Sequence, residues 1–292
     1  MKDILSEIIA HKRIEIELQK QTISLEHLQE QAEIMLQAGT AADGSHCCRS
    51  MKYSLANSDT GIISEFKRRS PSKGWINEGA KAEIIPASYE AAGAAAISIL
   101  TDEKFFGGSL RDIRTARPLV NIPILRKDFI IDEYQLLQAR IVGADAVLLI
   151  AACLTPEQCS TLTAKAHVLG LEVLLEIHSP SELVYVNNEI DMVGVNNRNL
   201  GSFVTDIENS FRIADQLRET VQRTSSASGN HHEFPLLVSE SGISSPETIR
   251  RLRNAGFRGF LIGETFMKTA SPGETLQNMI ATISHQSLIT NH

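Results

Sequence analysis

Two charged residues at the end of a short apolar run could act together as an acid and a base. Glu65 and Lys67 stand two positions apart in the run 62–67. Side chains alternate along a β-strand, so both would point to the same face. A basic stretch with serine and glycine, residues 68–74, follows at once and suits an anion. The sequence therefore predicts an acid–base pair beside an anion-binding turn.

Further charged and polar residues end, or directly follow, later apolar runs. They are Lys127, Glu176, Asn196, Arg198, Glu240 and Ser241. Each alone could be an ordinary surface residue, because charged side chains are common on protein surfaces. In a parallel barrel, however, the carboxyl ends of all strands meet at one face, which carries the catalytic residues. Their joint occurrence predicts a single pocket with acid–base chemistry.

Two glycine turns follow the seventh and eighth apolar runs. Loops at these positions form the phosphate site of many barrels, together with a nearby helix N-terminus. Backbone N–H groups of Gly242, Gly263 and Glu264 are therefore predicted to bind phosphate, and Ser70 is predicted to add a hydroxyl. A carboxylate beside phosphate is unfavourable, so the Glu264 side chain is expected to point away. The alternative is that both glycines only make tight turns.

An aromatic wall is predicted near this pocket. Phe106 lies in a Phe-Phe-Gly-Gly segment after the second apolar run, and Trp75 follows the basic turn. Either ring could pack against an aromatic substrate. For each, a hydrophobic plug beneath a loop is an equally open alternative.

The elements that must position these residues alternate along the chain. From residue 61 a short β-branched or apolar run is followed each time by a helical run. The predicted strands are 61–66, 95–100, 122–126, 145–150, 171–177, 191–196, 235–240 and 258–262. Eight strands alternating with helices predict an α/β fold, a single closed (β/α)8 TIM barrel. A doubly wound open sheet is the alternative, but no GxGxxG follows the first strand.

Helix ends between the strands are well marked. Helix starts with capping signals are predicted at Asp132, Thr155, Ser179 and Ser271. Helix C-caps are predicted at Gly93, Gly143, Gly170 and Gly256. The polar segment 224–233 breaks the rhythm and predicts a mobile loop before the seventh strand.

Residues 1–60 are predicted to form an N-terminal helical extension on a barrel of residues 61–292. Apolar residues at near-helical spacing predict one helix over residues 3–20 and a second after Ser24. Residues 39–45 are predicted to be a loop. The extension is expected to cover one end of the barrel.

Composition argues against several classes of protein. The 292 residues carry a net charge of −7, which disfavours nucleic-acid binding. No apolar run is long enough to cross a bilayer, and the first residues lack the apolar core of a signal peptide. A cytoplasmic protein without a nucleic-acid or membrane partner is expected.

Cysteine and histidine usage gives no sign of a metal site. The four cysteines are Cys47, Cys48, Cys153 and Cys159, and they form neither a CxxC motif nor a disulfide framework. Adjacent cysteines after His46 cannot easily supply two ligands to one tetrahedral ion. His231 and His232 stand in a loop that leads into a strand, away from the usual active face of a barrel. No metal is predicted.

Five segments resemble the signatures of the indole-3-glycerol-phosphate synthase family. They are Glu65–Gly74, Leu125–Phe129, Asn196–Leu200, Ser239–Ile243 and Phe260–Glu264. The resemblance extends from about Asp3 to Met279. Two departures are Asn199, where the family usually has an acidic residue, and the long segment 224–233. Neither departure touches a residue with a direct chemical role.

The resemblance implies a carboxy-lyase of tryptophan biosynthesis. Its substrate would be 1-(2-carboxyphenylamino)-1-deoxyribulose 5-phosphate, and its products indole-3-glycerol phosphate, carbon dioxide and water. Lys127 would be the general acid of ring closure, if burial or neighbouring cations lower its pKa toward neutrality. Glu176 would polarise the ketone. Lys67 with Glu65 would hold the carboxylate and assist dehydration.

The remaining pocket residues would complete the site. Asn196 and Glu240 would belong to the catalytic set. Arg198 and Phe106 would bind the substrate, and Ser241 would lie near its phosphate. The family's reaction needs no metal and no organic cofactor. The chain is expected to act as a monomer or weak dimer on this small phosphorylated aromatic aminosugar.

Two other functions are weighed against this one. Phosphoribosylanthranilate isomerase shares the barrel and the phosphate site, but its acid–base pair is a Cys near the first strand and an Asp near the sixth. Here those places hold Glu65 with Lys67, and Asn196. A non-catalytic barrel that only captures a phosphorylated metabolite would lack an ordered set of acid–base residues.

Overall fold

Eight parallel strands close into one barrel. The computed structural model describes residues 4–38, 49–199, 204–228 and 235–289. The strands are β1 (Ile62–Phe66), β2 (Ala96–Leu100), β3 (Ile124–Lys127), β4 (Ala146–Ile150), β5 (Glu172–Ile177), β6 (Met192–Asn196), β7 (Leu236–Glu240) and β8 (Gly259–Ile262). Each strand pairs in parallel with its neighbours in sequence, and β1 pairs with β8. The predicted TIM barrel and its eight strands are confirmed.

Three helices precede the barrel. They are α1 (Ile4–Thr22), α2 (Leu25–Ala38) and α3 (Met51–Asn57). α3 lies at the amino-terminal ends of the strands, where Ser54 Oγ donates a hydrogen bond to the Ala95 carbonyl over 2.6 Å. The predicted loop 39–45 lies outside the described residues, as do His46, Cys47 and Cys48. The division of the chain at residue 60 stays a prediction.

Helices alternate with the strands and surround the barrel. They are α4 (Ile85–Ala91), α5 (Glu103–Phe106), α6 (Leu110–Ala116), α7 (Glu133–Val142), α8 (Pro156–Val168), α9 (Glu208–Ser228), α10 (Pro246–Asn254), α11 (Glu264–Met267) and α12 (Pro272–Ile289). At the start predicted at Ser179, Glu182 Oε2 accepts the Ser179 N–H over 3.1 Å, but the helix that follows, Pro180–Tyr185, is a 3-10 helix. None of the described helices is long and apolar enough to cross a membrane.

Most predicted helix ends are confirmed by their hydrogen bonds. Asp132 Oδ1 accepts the N–H of Tyr134, and Gln135 Oε1 accepts the N–H of Asp132, which completes a capping box. Thr155 begins α8 in the same way. The four predicted C-cap glycines all have left-handed backbone: Gly93, Gly143, Gly170 and Gly256.

The loop predicted over 224–233 is wrong in its first half. α9 continues to Ser228, and residues 229–234, with His231 and His232, lie outside the described residues. Serine and threonine cost a helix interior only about 0.5 kcal/mol each. Extending a helix already begun at Glu208 is also easier than nucleating a new one. A polar composition was therefore insufficient to end the helix.

Alternation along the strands places an apolar layer below a charged layer inside the barrel. On β3, Leu125 belongs to the inner apolar core, and Lys127 two positions later lies in a cavity above it. β5 repeats the pattern with Leu174 and Glu176. Leu55 of α3 closes the core from the opposite end. The charged layer inside the barrel is thus open to solvent at the carboxyl-terminal ends of the strands.

Candidate active site

A cavity of about 650 Å³ opens at the carboxyl-terminal ends of the strands. The predicted site residues that line it are Glu65, Lys67, Ser70, Phe106, Lys127, Glu176, Asn196, Arg198, Ser241, Gly242, Gly263 and Glu264. Glu240 does not line the cavity. It is buried directly behind Lys127 and contacts it. Closure of the barrel thus brings together residues that are distant in the chain.

Lys127 carries a half-buried ammonium group that is surrounded by carboxylates. Its Nζ lies 2.6 Å from Glu240 Oε2 and 3.5 Å from Glu176 Oε2. Burial alone would lower the pKa of Lys127, but Glu240, Glu176 and Glu65 outweigh burial and raise it above its ordinary value. The lowered pKa that was the condition for Lys127 to act as general acid is therefore not met in the free chain. Its neighbours in the folded chain are mainly anions.

Glu240 and Glu176 compete for the same ammonium group, and their pKa values differ. Burial, assisted by the charge of Glu176, raises the pKa of Glu240 to about 7 although Lys127 opposes the shift. Burial also disfavours the Glu176 carboxylate, but Lys127 and His178 outweigh burial and lower its pKa. His178 Nε2 lies 3.3 Å from Glu176 Oε1. The two carboxyl groups therefore titrate as a pair around one ammonium group, and Glu176 ionises before Glu240.

Gly194 makes room for the Glu240 carboxyl group. A Cβ atom at position 194 would overlap Glu240 Oε1. Sequence reasoning missed this residue. The signal was present, because a single glycine inside an otherwise β-branched strand often marks the close approach of another group.

Glu65 and Lys67 form the predicted ion pair at the end of β1. Glu65 is buried, which disfavours its carboxylate, but Lys67, Lys127 and Arg198 outweigh burial and lower its pKa. Gly263 lies against this carboxyl group, and a Cβ atom there would collide with Glu65 Oε1. Gly263 therefore leaves room for the Glu65 carboxyl group, in addition to any anion that binds in the cavity.

The mouth of the cavity carries two cations that share one carboxylate. Glu264 lies 3.7 Å from Arg198 Nη2 and 3.9 Å from Lys73 Nζ. Arg198 Nη1 also donates to Ser72 Oγ over 2.8 Å, and the Arg198 backbone N–H donates to Asn196 Oδ1. The Glu264 carboxylate thus lies beside two cations of the cavity mouth, and the expectation that it points away from a bound phosphate stays a prediction.

The turn after β7 exposes backbone groups to the cavity in an unusual conformation. Ser241 has φ 68°, in the left-handed region that costs a non-glycine residue about 1 kcal/mol, and Gly242 follows with φ 77°. The buried amide of Asn197 supports the turn by donating to the Ser241 carbonyl over 3.1 Å. Across the cavity, the buried Ser70 Oγ has no hydrogen-bond partner among the described residues. Such a hydroxyl is available to a bound anion.

Two phenylalanines form the aromatic part of the wall. Phe106 and Phe129 both line the cavity, with ring centroids 5.9 Å apart. Sequence reasoning named Phe106 and missed Phe129, although Phe129 stands two positions after Lys127. Trp75, the other candidate, is half exposed and is not part of the cavity wall. It packs over the Arg69 guanidinium and beside Gly107.

The N-terminal extension supplies a further apolar wall. Ile4, Leu5 and Ile8 of α1 line the cavity from above the strands. The sequence predicted that this helix covers one end of the barrel, but gave no indication that its apolar residues would line the cavity. An aromatic substrate could pack between this wall and the two phenylalanines.

No group of acids, cysteines or histidines within the described ranges is arranged to hold a metal ion. The buried acids of the cavity face ammonium groups instead, as Glu65 faces Lys67 and Glu240 faces Lys127. This arrangement favours proton transfer and the binding of an anionic substrate.

Comparison with known proteins adds the context of a family. A family model described as indole-3-glycerol phosphate synthase matches residues 5–279. A protein of this description from Bacteroides thetaiotaomicron is 65% identical over 283 residues, which cover 97% of this chain and 100% of that protein. Another, from Acidithiobacillus ferrooxidans, is 38% identical over 281 residues, or 96% of this chain and 99% of that protein.

Solved structures show the same architecture at low identity. A mutant tryptophan synthase alpha-subunit from Pyrococcus furiosus is similar with a TM-score of 0.57 and 13% sequence identity. The match covers 78% of this chain and 99% of that subunit. At this identity the likeness shows the barrel fold alone.

Proposed function

The chain belongs to the indole-3-glycerol phosphate synthase family, and we propose that the charged layer of its cavity closes the indole ring. The reaction is that of a carboxy-lyase in tryptophan biosynthesis. It converts 1-(2-carboxyphenylamino)-1-deoxyribulose 5-phosphate to indole-3-glycerol phosphate, carbon dioxide and water. The site must therefore supply an acid for the ketone oxygen, a cation for the leaving carboxylate, a pair of groups for dehydration and an anchor for phosphate.

Lys127 is the proposed acid for ring closure. As the ring carbon attacks the ketone, the ketone oxygen gains negative charge and becomes basic enough to take a proton even from a lysine of raised pKa. The carboxyl group of Glu240, with a pKa of about 7, lies 2.6 Å away and could return that proton. Glu176 would accept a hydrogen bond from the substrate hydroxyl beside the reacting carbon.

Glu65 and Lys67 are the proposed pair for the later steps. The Lys67 ammonium would hold the substrate carboxylate until it leaves as carbon dioxide. The hydroxyl formed by ring closure then takes a proton from Lys67 and leaves as water, while a base removes a proton from the new ring, and Lys67 regains its proton from that base. Glu65 suits the base, because its neighbours lower its pKa and keep it ionised. The sequence of steps balances without an oxidant or an organic cofactor.

The phosphate is proposed to bind where the two glycine turns meet the basic hairpin, in which Arg69–Ser70 pairs antiparallel with Gly74–Trp75. Gly242, Gly263 and Glu264 line the cavity here, and their backbone N–H groups would bind the phosphate together with Ser70 Oγ, which has no hydrogen-bond partner among the described residues. Arg198 adds positive charge at the same rim. The phenyl ring would then lie near Phe106 and Phe129, in the apolar half of the cavity.

A single observation carries these assignments. The half-buried Lys127 lies among three carboxylates, one of which, Glu65, also pairs with Lys67, at the face of the barrel where catalysis occurs. A barrel that only captured a phosphorylated metabolite would have no use for so costly an arrangement of buried charge. The Cys–Asp pair of the isomerase family is absent from the matching strand ends, which carry Glu65 and Asn196.

Fluorescence of the indole product tests the proposal. The purified chain is mixed with the carboxyphenylamino-deoxyribulose phosphate, and in parallel with phosphoribosylanthranilate. Indole fluorescence is expected to rise with the first substrate and not with the second. Binding without turnover would contradict the proposal. A cytoplasmic location and a monomeric or weakly dimeric state remain part of the proposal.

A further inference from the structure

A lysine occupies a core position on the buried face of α1. Ile8, Lys12 and Ile16 follow one another at four-residue spacing and are all almost fully buried. The Lys12 Nζ lies 3.0 Å from Asp102 Oδ2 and 3.1 Å from Asp128 Oδ1. A buried ammonium group needs such partners, because its transfer from water is otherwise very unfavourable.

Both aspartates hold loops that carry cavity residues. Asp102 follows β2, and its Oδ1 accepts the Phe105 N–H over 2.7 Å, which caps the short helix α5 that ends in Phe106. Asp128 follows Lys127 directly, and its Oδ1 accepts the Phe129 N–H over 2.8 Å. The two rings of the aromatic wall therefore each depend on an aspartate that contacts Lys12.

The two aspartates differ in what else compensates their charge. Asp128 Oδ2 also receives hydrogen bonds from Arg126 Nη2 and Thr101 Oγ1, at 2.9 and 2.7 Å. Asp102 Oδ2 accepts no hydrogen bond among the described residues, so the Lys12 ammonium is the charge that faces it. Burial would lower the pKa of Lys12, but Asp128, Asp102 and Glu15 outweigh burial and raise it. Lys12 thus stays positively charged.

We propose that Lys12 is a positioning residue for ring closure, whose ammonium group fixes Asp102 and Asp128 and thereby sets Phe106, Phe129 and Lys127 around the aromatic part of the substrate. The extension then does more than cover the barrel, because it contributes the cation that joins the loops after β2 and β3. This inference rests on the proposed function and deepens it.

Lys12→Met tests the proposal against a matched control on the same helix. Lys20 also joins α1 to the barrel, through an ion pair of 2.7 Å with Asp132, but Asp132 caps α7 outside the cavity. Lys20→Met is expected to keep kcat and KM within about twofold of wild type. Lys12→Met is expected to lower kcat about 10- to 100-fold, since a misplacement of about 1 Å in a reacting group can cost that much.

A double variant separates positioning from simple charge compensation. Lys12→Met with Asp102→Asn removes the unpaired buried charge, while the amide oxygen introduced by the second substitution can still cap α5. Each kcat is measured at a temperature at which circular dichroism shows that the variant is folded. If Lys12→Met alone is too unstable to measure, the kcat of the double variant decides whether Lys12 is a positioning residue. Thermal stability is expected to recover toward wild type while kcat stays below a third of the wild-type value. A kcat at or above a third would overturn the proposal.

Failure of this inference and failure of the proposed function give different results. If the wild-type chain does not produce indole fluorescence, the function itself is wrong. If the wild type is active and the double variant is equally active, only the role of Lys12 is wrong.

Discussion

The Glu240 carboxylate lies 2.6 Å from the ammonium group of Lys127, in a position where water has almost no access. An acid with a pKa of about 7 is thus in hydrogen-bond contact with the proposed proton donor. A lysine surrounded by anions binds its proton tightly. After Lys127 has given this proton to the substrate, a neighbouring group must supply another one before the next turnover. Glu240 is suited to that role because it titrates near the working pH.

The pH dependence of kcat/KM should report the Glu240 carboxyl group. Below pH 7 the group is protonated, and its ionisation above pH 7 adds a negative charge beside Lys127. That charge repels an anionic substrate and strengthens the hold on the lysine proton. We expect kcat/KM to fall as the pH rises through about 7 in the wild type, and this decline to be absent in Glu240→Gln.

The same variant has a signature in stability. A carboxyl group whose pKa is raised by folding stabilises the fold at pH values below its ordinary pKa of 4.5, and this contribution is lost as the pH rises through about 7. Wild type should therefore lose stability relative to Glu240→Gln between these values in urea unfolding. Parallel pH curves for the two proteins would show that Glu240 does not titrate in this range.

Gly194→Ala should damage catalysis by displacing Glu240. The added methyl group would overlap the Glu240 carboxyl group, which must then move from Lys127. We expect kcat to fall about tenfold to a hundredfold and stability to fall by about 1–3 kcal/mol from overpacking. Gly79→Ala is the control, because no atom lies within 4 Å of a Cβ at that position. Equal kcat values for the two variants would refute the role assigned to Gly194.

The strands and most of the site residues could be predicted because both follow from local rules. Alternation at β1 placed Glu65 and Lys67 on one face, and a parallel barrel brings all strand ends together. The environment of Lys127 could not be predicted in this way. Its carboxylate neighbours come from β5 and β7, and their distances to its Nζ depend on how the barrel closes.

Side-chain direction at turns was also beyond the sequence. The rule that acids avoid phosphate favoured an outward Glu264, yet in the free chain the cations Arg198 and Lys73 attract its carboxylate. Trp75 was an equally good aromatic candidate until the hairpin placed it over Arg69. Both cases depend on contacts between different loops, which spacing along one segment does not reveal.

Glu264→Gln should strengthen substrate binding. The wild-type carboxylate competes with phosphate for Arg198 and Lys73, and the charge is partly exposed, so its effect is screened to about 0.5–1 kcal/mol. We expect KM to fall about two- to fivefold at low salt, and the difference to shrink as salt rises. Glu30→Gln, at an exposed position of α2 outside the cavity, should leave KM unchanged. A higher KM in Glu264→Gln would show that this carboxylate assists binding.

Lys127→Ala tests the central claim most directly. Single-turnover indole fluorescence gives the rate of product formation, and titration calorimetry with an unreactive substrate analogue gives affinity, with the exposed Lys81→Ala as control. The account predicts a rate about a thousandfold below wild type, an affinity within about threefold of wild type and an unchanged Lys81→Ala. A Lys127→Ala rate within tenfold of wild type would contradict the assignment of Lys127 as the proton donor.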